Sequence, residues 1–331
     1  MELKGIAVSS RIRLARNIAS IPFPSKLHDE RAFSEVIKKV YDVVNEGNYS
    51  FYQMNAIDEP KAYSLVEKHL ISPNLVENKN YGAVLINKDE TLSIMLNEED
   101  HIRIQVINKG FSLKESYKES QNVDNKILRS LNIAYDEQYG FLTACPTNLG
   151  TALRASIMLF LPGLTLNNQM NSVIDAVDRA GITVRGIFGE GSNTYGYMYQ
   201  VSNKLTLGVS EEEIISNVEN AVKQIAKAEM QAREDLLRLN ENEILNMVYR
   251  AKGVLTSSYM LSTKEFYENM GELLFGVYLN IFKADDEKLI ELFSNAGPGS
   301  LSSLKGEVLS PEERDLFRAK YVRERVNSAL S

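Results

Sequence analysis

Two segments of this chain alternate apolar and polar residues, and this alternation constrains the fold more than any other feature. In VSSRIRLA (8–15), Ile12 and Leu14 occupy even positions, whereas Arg11 and Arg13 occupy odd positions. Successive side chains of a β-strand point to opposite faces of its sheet. The segment therefore predicts a strand that is buried on one face and projects two guanidinium groups together from the other.

The segment TLSIMLNEEDHIRIQV (91–106) shows the same alternation with one interruption. Its even positions are apolar at both ends, while Glu99 and Arg103 fall on the odd, polar side. Uninterrupted pleating would push Glu98 and Asp100 into the core, so we expect a bulge or a strand break near them. Such breaks in a local rule often mark functional sites.

The chain of 331 residues changes character shortly before Ser210. Strand-like runs and helices are mixed before that point, and everything after it has a helical pattern. Ser210 and Glu213 form the capping box of a helix of roughly 30 residues, which we expect to break near residues 240–242. The sequence therefore predicts one domain at 1–237 and an all-helical domain at 238–331.

Composition excludes several classes of protein. No stretch approaches the roughly 18 to 20 apolar residues of a membrane span, and the N-terminus lacks the apolar core of a signal peptide, so we expect a cytoplasmic protein without a membrane partner. The net charge of −7 argues against direct, sequence-independent nucleic-acid binding. A single cysteine and three separated histidines predict neither an intramolecular disulfide nor a zinc site.

Four short segments carry arginines, and two of them also carry carboxylates. Fixed guanidinium groups suit the charged oxygens of a polyphosphate during phosphoryl transfer. No Walker A loop or protein-kinase motif set accompanies them, so arginine side chains would hold the phosphates. A carboxylate pair such as Glu99 and Glu190 would grip a planar guanidinium and accept its proton. The segments are SSRIR (9–13), NEEDHIR (97–103), CPTNLGTALR (145–154) and VRGIFGEG (184–191).

In order and spacing, these segments resemble the signature motifs of the phosphagen (ATP:guanido) kinases. The resemblance implies an α+β catalytic domain, in which an antiparallel sheet is flanked by helices, followed here by the all-helical C-terminal domain. It also implies ATP as the phosphoryl donor, with Mg²⁺ held by phosphate oxygens and water and with no direct protein metal site. The implied ligands of the nucleotide phosphates are Arg11, Arg13, Arg103, Arg154 and Arg185.

The same resemblance assigns three catalytic positions and a wider ATP site. Glu99 is the first catalytic glutamate, and Glu190 is the second, on a glycine-rich loop that would close over substrate. Cys145 is a helper at the acceptor guanidinium, although taken alone it would fit a small buried residue. Glu98 is the alternative to Glu99. The implied ATP-binding residues are Ser9, Ser10, Arg11, Ile12, Arg13, His69, Arg103, Arg154, Ala155, Ser156, Ile157, Met158, Arg185, Gly186, Ile187, Phe188, Gly189 and Glu190.

Two of these positions concern the adenine. His69 resembles an adenine-side histidine of the family, with an ordinary surface residue as the alternative. Met158 stands where arginine kinase has an adenine-contacting histidine. We therefore expect the adenine to pack differently here.

Two departures from creatine and arginine kinase indicate a protein substrate. Those enzymes have a helical domain before the first motif, whereas eight residues precede Ser9 here. Near the other end, RDLFRA (314–319) resembles the RDxxRA motif of the bacterial protein-arginine kinases. This branch implies exposed arginines of proteins as acceptors and a homodimer formed through the C-terminal domain. It also implies an allosteric phosphoarginine site at Arg314, Asp315 and Arg318, for which a plain helix face with charges four apart is the alternative.

The same branch implies biological partners. Its members mark misfolded proteins for the Clp protease and inactivate a heat-shock repressor, and a small zinc-binding protein is the usual activator. Two other functions stay open from the residues: a kinase of free arginine or creatine, and a catalytically silent phosphoarginine-binding adaptor. The short N-terminus disfavours the first, and the retained glutamates and arginines disfavour the second.

Overall fold

An antiparallel sheet runs through the N-terminal part of the molecule. The structure, a computed structural model, describes residues 3–27, 29–187 and 194–330. Its strands are β1 (Ala7–Arg16), β2 (Tyr49–Gln53), β3 (Ala83–Asn87), β4 (Leu92–Leu96), β5 (Ile102–Lys109), β6 (Tyr135–Asp136), β7 (Gly140–Phe141), β8 (Leu153–Phe160), β9 (Ile182–Gly186) and β10 (Met198–Asn203). Within the described residues, eight strands form one sheet in the order β2-β3-β4-β5-β1-β8-β10-β9, and β6 pairs with β7.

Helices flank the sheet and form the whole C-terminal part. Several begin at side chains that cap a free backbone N–H, such as Asp58 and Ser72. The helices are α1 (Glu30–Val44), α2 (Glu59–Glu67), α3 (Pro73–Glu77), α4 (Leu113–Ser130), α5 (Pro162–Leu166), α6 (Met170–Asp178), α7 (Glu211–Ser257), α8 (Thr263–Tyr278), α9 (Asp286–Asn295), α10 (Pro298–Lys305) and α11 (Pro311–Ala329), with 3₁₀ turns at Pro24–Lys26 and Pro146–Asn148.

The pleat gives the sheet one apolar face. Ile12, Ile104 and Ile157, from three neighbouring strands, are fully buried and belong to a core shared with α1, α4 and the first half of α7. Burial of this apolar surface is the main source of stability for the sheet. The predicted burial of the even-numbered face of β1 is confirmed at Ile12 and Leu14.

The predicted strand break in the second alternating segment is also confirmed. β4 ends at Leu96 and β5 begins at Ile102, and the amide of Asn97 donates to the carbonyl of His101 at 3.0 Å. Asn97 has φ = 57°, in the left-handed region that asparagine adopts more readily than most residues. Residues 97–101, which we call the Glu99 turn, therefore form a hairpin turn and not a strand.

The long helix α7 connects the sheet to the C-terminal helices. Ser210 and Glu213 form the predicted capping box, and Asn240, with φ = −135°, interrupts the helix where a break was expected. Before this kink, α7 packs on the sheet through residues such as Val218. After it, residues such as Val248 join a separate core with α8, α9, α10 and α11. The predicted boundary between the two domains, at residues 237 and 238, stays a prediction.

The fold class expected from the sequence is confirmed: an antiparallel sheet flanked by helices, followed by a helical C-terminal region. In the described part of the chain, no helix has the length and apolar character needed to cross a membrane.

Candidate active site

The strand register brings the predicted arginines to one side of the sheet. Arg13 in β1 lies opposite Arg154 in β8, and Arg185 in β9 lies opposite Gln200 in β10. Residues directly opposite each other in an antiparallel pair share a face. All the predicted phosphate ligands therefore lie on one side, which we call the cationic face: Arg11, Arg13, Arg103, Arg154 and Arg185.

Most contacts of these arginines are with neutral groups. Arg11 donates to Oε1 of Gln200, and Arg154 donates to Oγ of Ser202 at 3.1 Å. The Nε atoms of Arg13 and Arg154 are buried without a hydrogen-bond partner among the described residues. Neutral acceptors do not compensate a positive charge, so this face is suited to an anionic ligand.

Burial and mutual repulsion lower the pKa values of three of these guanidinium groups, those of Arg11, Arg13 and Arg154. Burial, followed by the charges of Arg154 and Arg103, lowers the pKa of Arg11 to about 10. Burial also lowers the pKa of Arg13, and the charges of Arg11 and Arg103 add to this effect. Burial and the charge of Arg185 lower the pKa of Arg154. Because the cations are close enough to repel one another, a polyanion would relieve an unfavourable arrangement.

The Glu99 turn distinguishes its two candidate carboxylates. Glu98 is fully buried, accepts a hydrogen bond from Ser72 Oγ at 2.6 Å, and pairs with Nη1 of Arg103 at 2.7 Å. The side chain of Glu99 is 37% exposed and lies 3.3 Å from Nη2 of the same arginine. Burial, followed by the negative charge of Asp100, raises the pKa of Glu99. Glu98 therefore orients Arg103, and Glu99 is the carboxylate that a ligand could reach.

A buried network joins the Glu99 turn to the segment that precedes Cys145. Oδ1 of Asp100 accepts hydrogen bonds from the amide of Ala144 and from Nδ2 of Asn17, both at 2.7 Å. These bonds fix the turn relative to the start of the Cys145 segment. Sequence reasoning marked Asp100 only as a break in the alternation and gave no signal for Asn17, because its partners are far away in the sequence.

Cys145 begins a short segment that borders the cationic face. It is partly exposed, and its Sγ lies 3.0 Å from Oγ1 of Thr147. Thr147 lines a cavity of about 280 Å³ together with Arg154 and Arg185. The cysteine is therefore not a core residue, and its segment borders the same space as two of the arginines.

His69 follows the end of α2 with φ = 59°. Its carbonyl accepts a hydrogen bond from Nε2 of Gln105 at 2.7 Å, and Gln105 lies opposite Arg13 in the sheet. Burial, followed by the charges of Arg11 and Arg13, lowers the pKa of His69 to about 4. The imidazole is therefore neutral at pH 7 and lies near the charges of the cationic face, and its contact with adenine stays a prediction.

The pleat corrects part of the predicted ATP site. The side chains of Ser10, Ile12, Ala155 and Ile157 are almost fully buried on the opposite side of the sheet, so they cannot contact a ligand on the cationic face. The prediction took continuous ranges, whereas only alternate residues of a strand share a face. The other members of these ranges lie on the cationic side: Ser9, Ser156 and Met158.

The predicted closing loop is described only at its ends. Gly186 ends β9, and Ile187 packs against the core of the C-terminal helices. Phe188, Gly189 and Glu190 lie outside the described residues. The role of Glu190 therefore stays a prediction from the resemblance.

Comparison with known proteins leads to the same family. The model of the ATP:guanido phosphotransferase C-terminal catalytic domain matches residues 31–232, and that of the protein-arginine kinase McsB C-terminal domain matches residues 241–331. The protein-arginine kinase of Clostridium kluyveri is 44% identical over 334 residues, which cover 98% of this chain and 96% of that protein. The chain belongs to the protein-arginine kinases of the ATP:guanido phosphotransferase family.

Another protein-arginine kinase also matches nearly the whole chain. The protein-arginine kinase of Bacillus subtilis (strain 168) is 41% identical over 333 residues, which cover 98% of this chain and 91% of that protein. The family and the enzyme class predicted from the sequence are therefore confirmed.

Two solved structures resemble the protein-arginine kinase fold seen here. The duplicated taurocyamine kinase from Schistosoma mansoni, with bound transition state analog components, matches with a TM-score of 0.63 and 26% identity. That match covers 78% of this chain and 39% of the other. Lombricine kinase matches with a TM-score of 0.60 and 24% identity over 71% of this chain and 68% of the other, and it supports the fold alone.

In this protein-arginine kinase, RDLFRA (314–319) does not present the predicted pair of free arginines. Arg318 is fully buried, and its guanidinium donates to the carbonyls of Ala296 at 2.9 Å and Leu261 at 2.8 Å. It also pairs with Oδ1 of Asp315 at 2.6 Å. Asp315 is therefore already bound to Arg318, because this face of α11 points into the C-terminal core.

Arg314 has a different environment. It lines a cavity of about 250 Å³ between α2 and the C-terminal helices, together with Tyr63, Glu67 and Leu309. Of the two arginines in the motif, Arg314 is the one that a ligand in this cavity could contact. Its binding of phosphoarginine stays a prediction.

The described residues provide no protein cage for a divalent cation. No group of three or more His, Cys, Asp or Glu side chains in the described ranges could hold a metal ion. Near the cationic face, Glu98 and Glu99 are both paired with Arg103. This donor set fits Mg²⁺ only as an ion bound mainly by nucleotide phosphates and water.

Proposed function

We propose that this protein transfers the γ-phosphoryl group of ATP to arginine side chains of other proteins. The observation that carries the proposal is the cationic face, where the partly buried Arg13 and Arg154 have no carboxylate partner among the described residues and Arg103 lies beside the accessible Glu99. Similarity to proteins named protein-arginine kinase over nearly the whole chain supports the acceptor.

In the proposed reaction, a guanidino nitrogen of the acceptor attacks the γ-phosphorus of ATP. A P–N bond forms, the bond from phosphorus to the β–γ bridging oxygen breaks, and ADP leaves. Glu99 accepts the proton that the nitrogen loses, and its raised pKa makes it a stronger base than an ordinary glutamate. The arginines stabilise charge on the transferring group, with Mg²⁺ on the phosphates adding to this stabilisation.

Two further groups complete the proposed site. Glu190 is the second carboxylate that orients the acceptor guanidinium. Cys145 is the helper at the acceptor guanidinium, and its neighbour Thr147 lines the cavity shared with Arg154 and Arg185. Both roles rest on the family resemblance.

Incubation with Mg·ATP and an unfolded protein tests the proposal. Mass spectrometry under non-acidic conditions, which preserve the acid-labile P–N bond, should detect phosphoarginine on the protein. A parallel reaction with free arginine should give little product. Product from free arginine alone would replace the proposal with a free-guanidino kinase, and no product from either would support an adaptor.

We also propose a homodimer formed by the C-terminal helices. The family resemblance supports it, and the exposed apolar side chains of these helices are candidates for the interface. They include Leu239, Tyr249 and Tyr259, which are 70%, 57% and 81% exposed. Sedimentation velocity should show a dimer of the full chain and a monomer for Tyr259→Asp with Leu239→Asp; a wild-type monomer would contradict the proposal.

The cavity at Arg314 is our proposed allosteric phosphoarginine site. Adding phosphoarginine should change the activity of the wild type, and Arg314→Met should remove this response without lowering stability. An unchanged response in that variant would exclude the site.

The remaining proposals concern biological context and follow the family resemblance. We propose a cytoplasmic enzyme with a small zinc-binding activator, whose products are substrates of the Clp protease system and include a heat-shock repressor. Degradation of a phosphorylated model substrate by the Clp protease, compared with the unphosphorylated form, tests the central step.

A further inference from the structure

A carboxylate joins α2 of the sheet domain to α10 of the C-terminal helices. Glu67, the last residue of α2, accepts hydrogen bonds from the amides of Gly299 and Ser300, each at 2.7 Å. These amides belong to the first turn of α10, where backbone N–H groups have no partner within the helix. The partial positive charge of a helix start stabilises a carboxylate in this position.

Close packing makes this contact specific. A Cβ added at Gly297 would lie 2.5 Å from Cδ of Glu67, and one added at Gly299 would lie 2.6 Å from Cβ of Tyr63. Only glycine allows the two helices to approach this closely. The start of α10 and the end of α2 therefore move together or lose their contact.

On the sheet side, Glu67 is only two residues from His69. The carbonyl of His69 is held by Gln105, which lies opposite Arg13 on the cationic face. The charges of Arg11 and Arg13 both act on the imidazole. A shift of Glu67 would therefore move a residue that is bonded to Gln105 and is close enough to Arg11 and Arg13 for their charges to act on it.

On the C-terminal side, the same helix start is held by the RDLFRA motif. Arg318 donates to the carbonyl of Ala296, which immediately precedes Gly297, the N-cap residue of α10. Arg314 lines the cavity of which Glu67 is another wall. Glu67 thus contacts an element that this motif positions.

We propose that Glu67 is a positioning residue for nucleotide binding. Its contact with α10 sets the place of His69 beside the cationic face, and it thereby links the affinity for ATP to the arrangement of the RDLFRA helix. This inference rests on the proposed function in one respect, that ATP binds on the cationic face.

Glu67→Gln in the full chain tests the proposal, because glutamine keeps the size of the side chain and removes its charge. We expect the Kd for Mg·ATP, measured by calorimetry without a protein substrate, to rise about fivefold, while kcat at saturating ATP changes less than about twofold. Glu77→Gln, an equal charge change at an exposed site on α3, should leave both unchanged.

A double-mutant cycle tests the route through His69. His69→Gln alone should also weaken Mg·ATP binding, and the double variant should bind no more weakly than the weaker single variant, because both changes disturb one contact chain. Independent, multiplicative effects would overturn the route. If Glu67→Gln fails to fold, Gly297→Ala disturbs the same contact from α10 and takes its place in the cycle.

The outcomes distinguish a failure of the role of Glu67 from a failure of the proposed function. A wild type that binds Mg·ATP, with Glu67→Gln binding equally well, overturns the role of Glu67 and leaves the proposed function standing. A wild type that does not bind Mg·ATP overturns both.

Discussion

Arg13 and Arg16 lie three residues apart in β1, and they differ in what holds their charge. Arg16 is buried with Nη2 at 2.7 Å from Asp124, and its guanidinium stacks on the ring of Phe141 at 3.6 Å from the centroid. The charges that act on Arg13 are mainly those of Arg11, Arg103 and Arg154, opposed by the smaller effect of Glu98, and its Nε has no hydrogen-bond partner among the described residues. Removing one partner of a buried ion pair is strongly destabilising, whereas a cation repelled by its neighbours is suited to an anionic ligand.

Glu98 and Glu99 also differ from each other, because Glu98 is a buried partner of Arg103 whereas Glu99 is accessible to a ligand. The largest predicted effect concerns Glu99. Glu99→Gln should reduce phosphoryl transfer by about a thousandfold or more, because no base receives the proton, while the Kd for Mg·ATP stays within about twofold. Single-turnover phosphoarginine formation and calorimetry measure the two quantities.

The matched control is Glu98→Gln, an equal change at the neighbouring residue. It should lower the free energy of unfolding, because Arg103 loses its buried partner. Transfer that survives in Glu99→Gln and disappears only in Glu98→Gln would reverse the assignment of the two acids.

The pair in β1 gives the next largest effect. Arg16→Met should lower the free energy of unfolding by about 3–5 kcal/mol, because it leaves Asp124 buried without its partner. Arg13→Met should leave that free energy unchanged or raise it, because it removes a repelled cation, and it should weaken Mg·ATP binding about tenfold. Denaturant unfolding and calorimetry on both variants check this; equal destabilisation by the two would contradict the distinction.

The sequence was sufficient for the cationic face because strand alternation is a local property. Arg11 and Arg13 share a face by spacing alone, and the break in alternation at Glu98 and Asp100 predicts the turn between β4 and β5. Applied to each residue of the predicted ATP-binding ranges, the same alternation rule excludes Ile12 from the ATP site.

Contacts between distant segments could not be predicted in this way. Arg16 and Asp124 are 108 residues apart, and Glu67 and Gly299 are 232 apart. In both pairs, the sequence around one residue does not indicate which distant residue it contacts. Arg318 was wrongly expected beside Arg314 on one accessible face, because helical spacing does not reveal which side of α11 is covered by neighbouring helices.

The smallest predicted effect concerns His69, a neutral group held beside cations. Its pKa is lowered from 6.5 to about 4 by burial and by Arg11 and Arg13. Between these values the unfolded chain binds a proton that the folded chain does not bind, so stability falls as the pH falls from 6.5 towards 4. This histidine should therefore contribute a loss of about 1.5 kcal/mol between pH 6.5 and pH 5.

Urea unfolding of the wild type and His69→Gln at several pH values isolates this contribution, because other titrating groups are common to both proteins. The variant should show a shallower loss of stability between pH 6.5 and pH 5. Identical pH dependence would mean that the histidine titrates normally, and thus that the cationic face does not reach it. Added triphosphate should reduce the difference between the two proteins, because an anion on this face would offset the charges that suppress protonation.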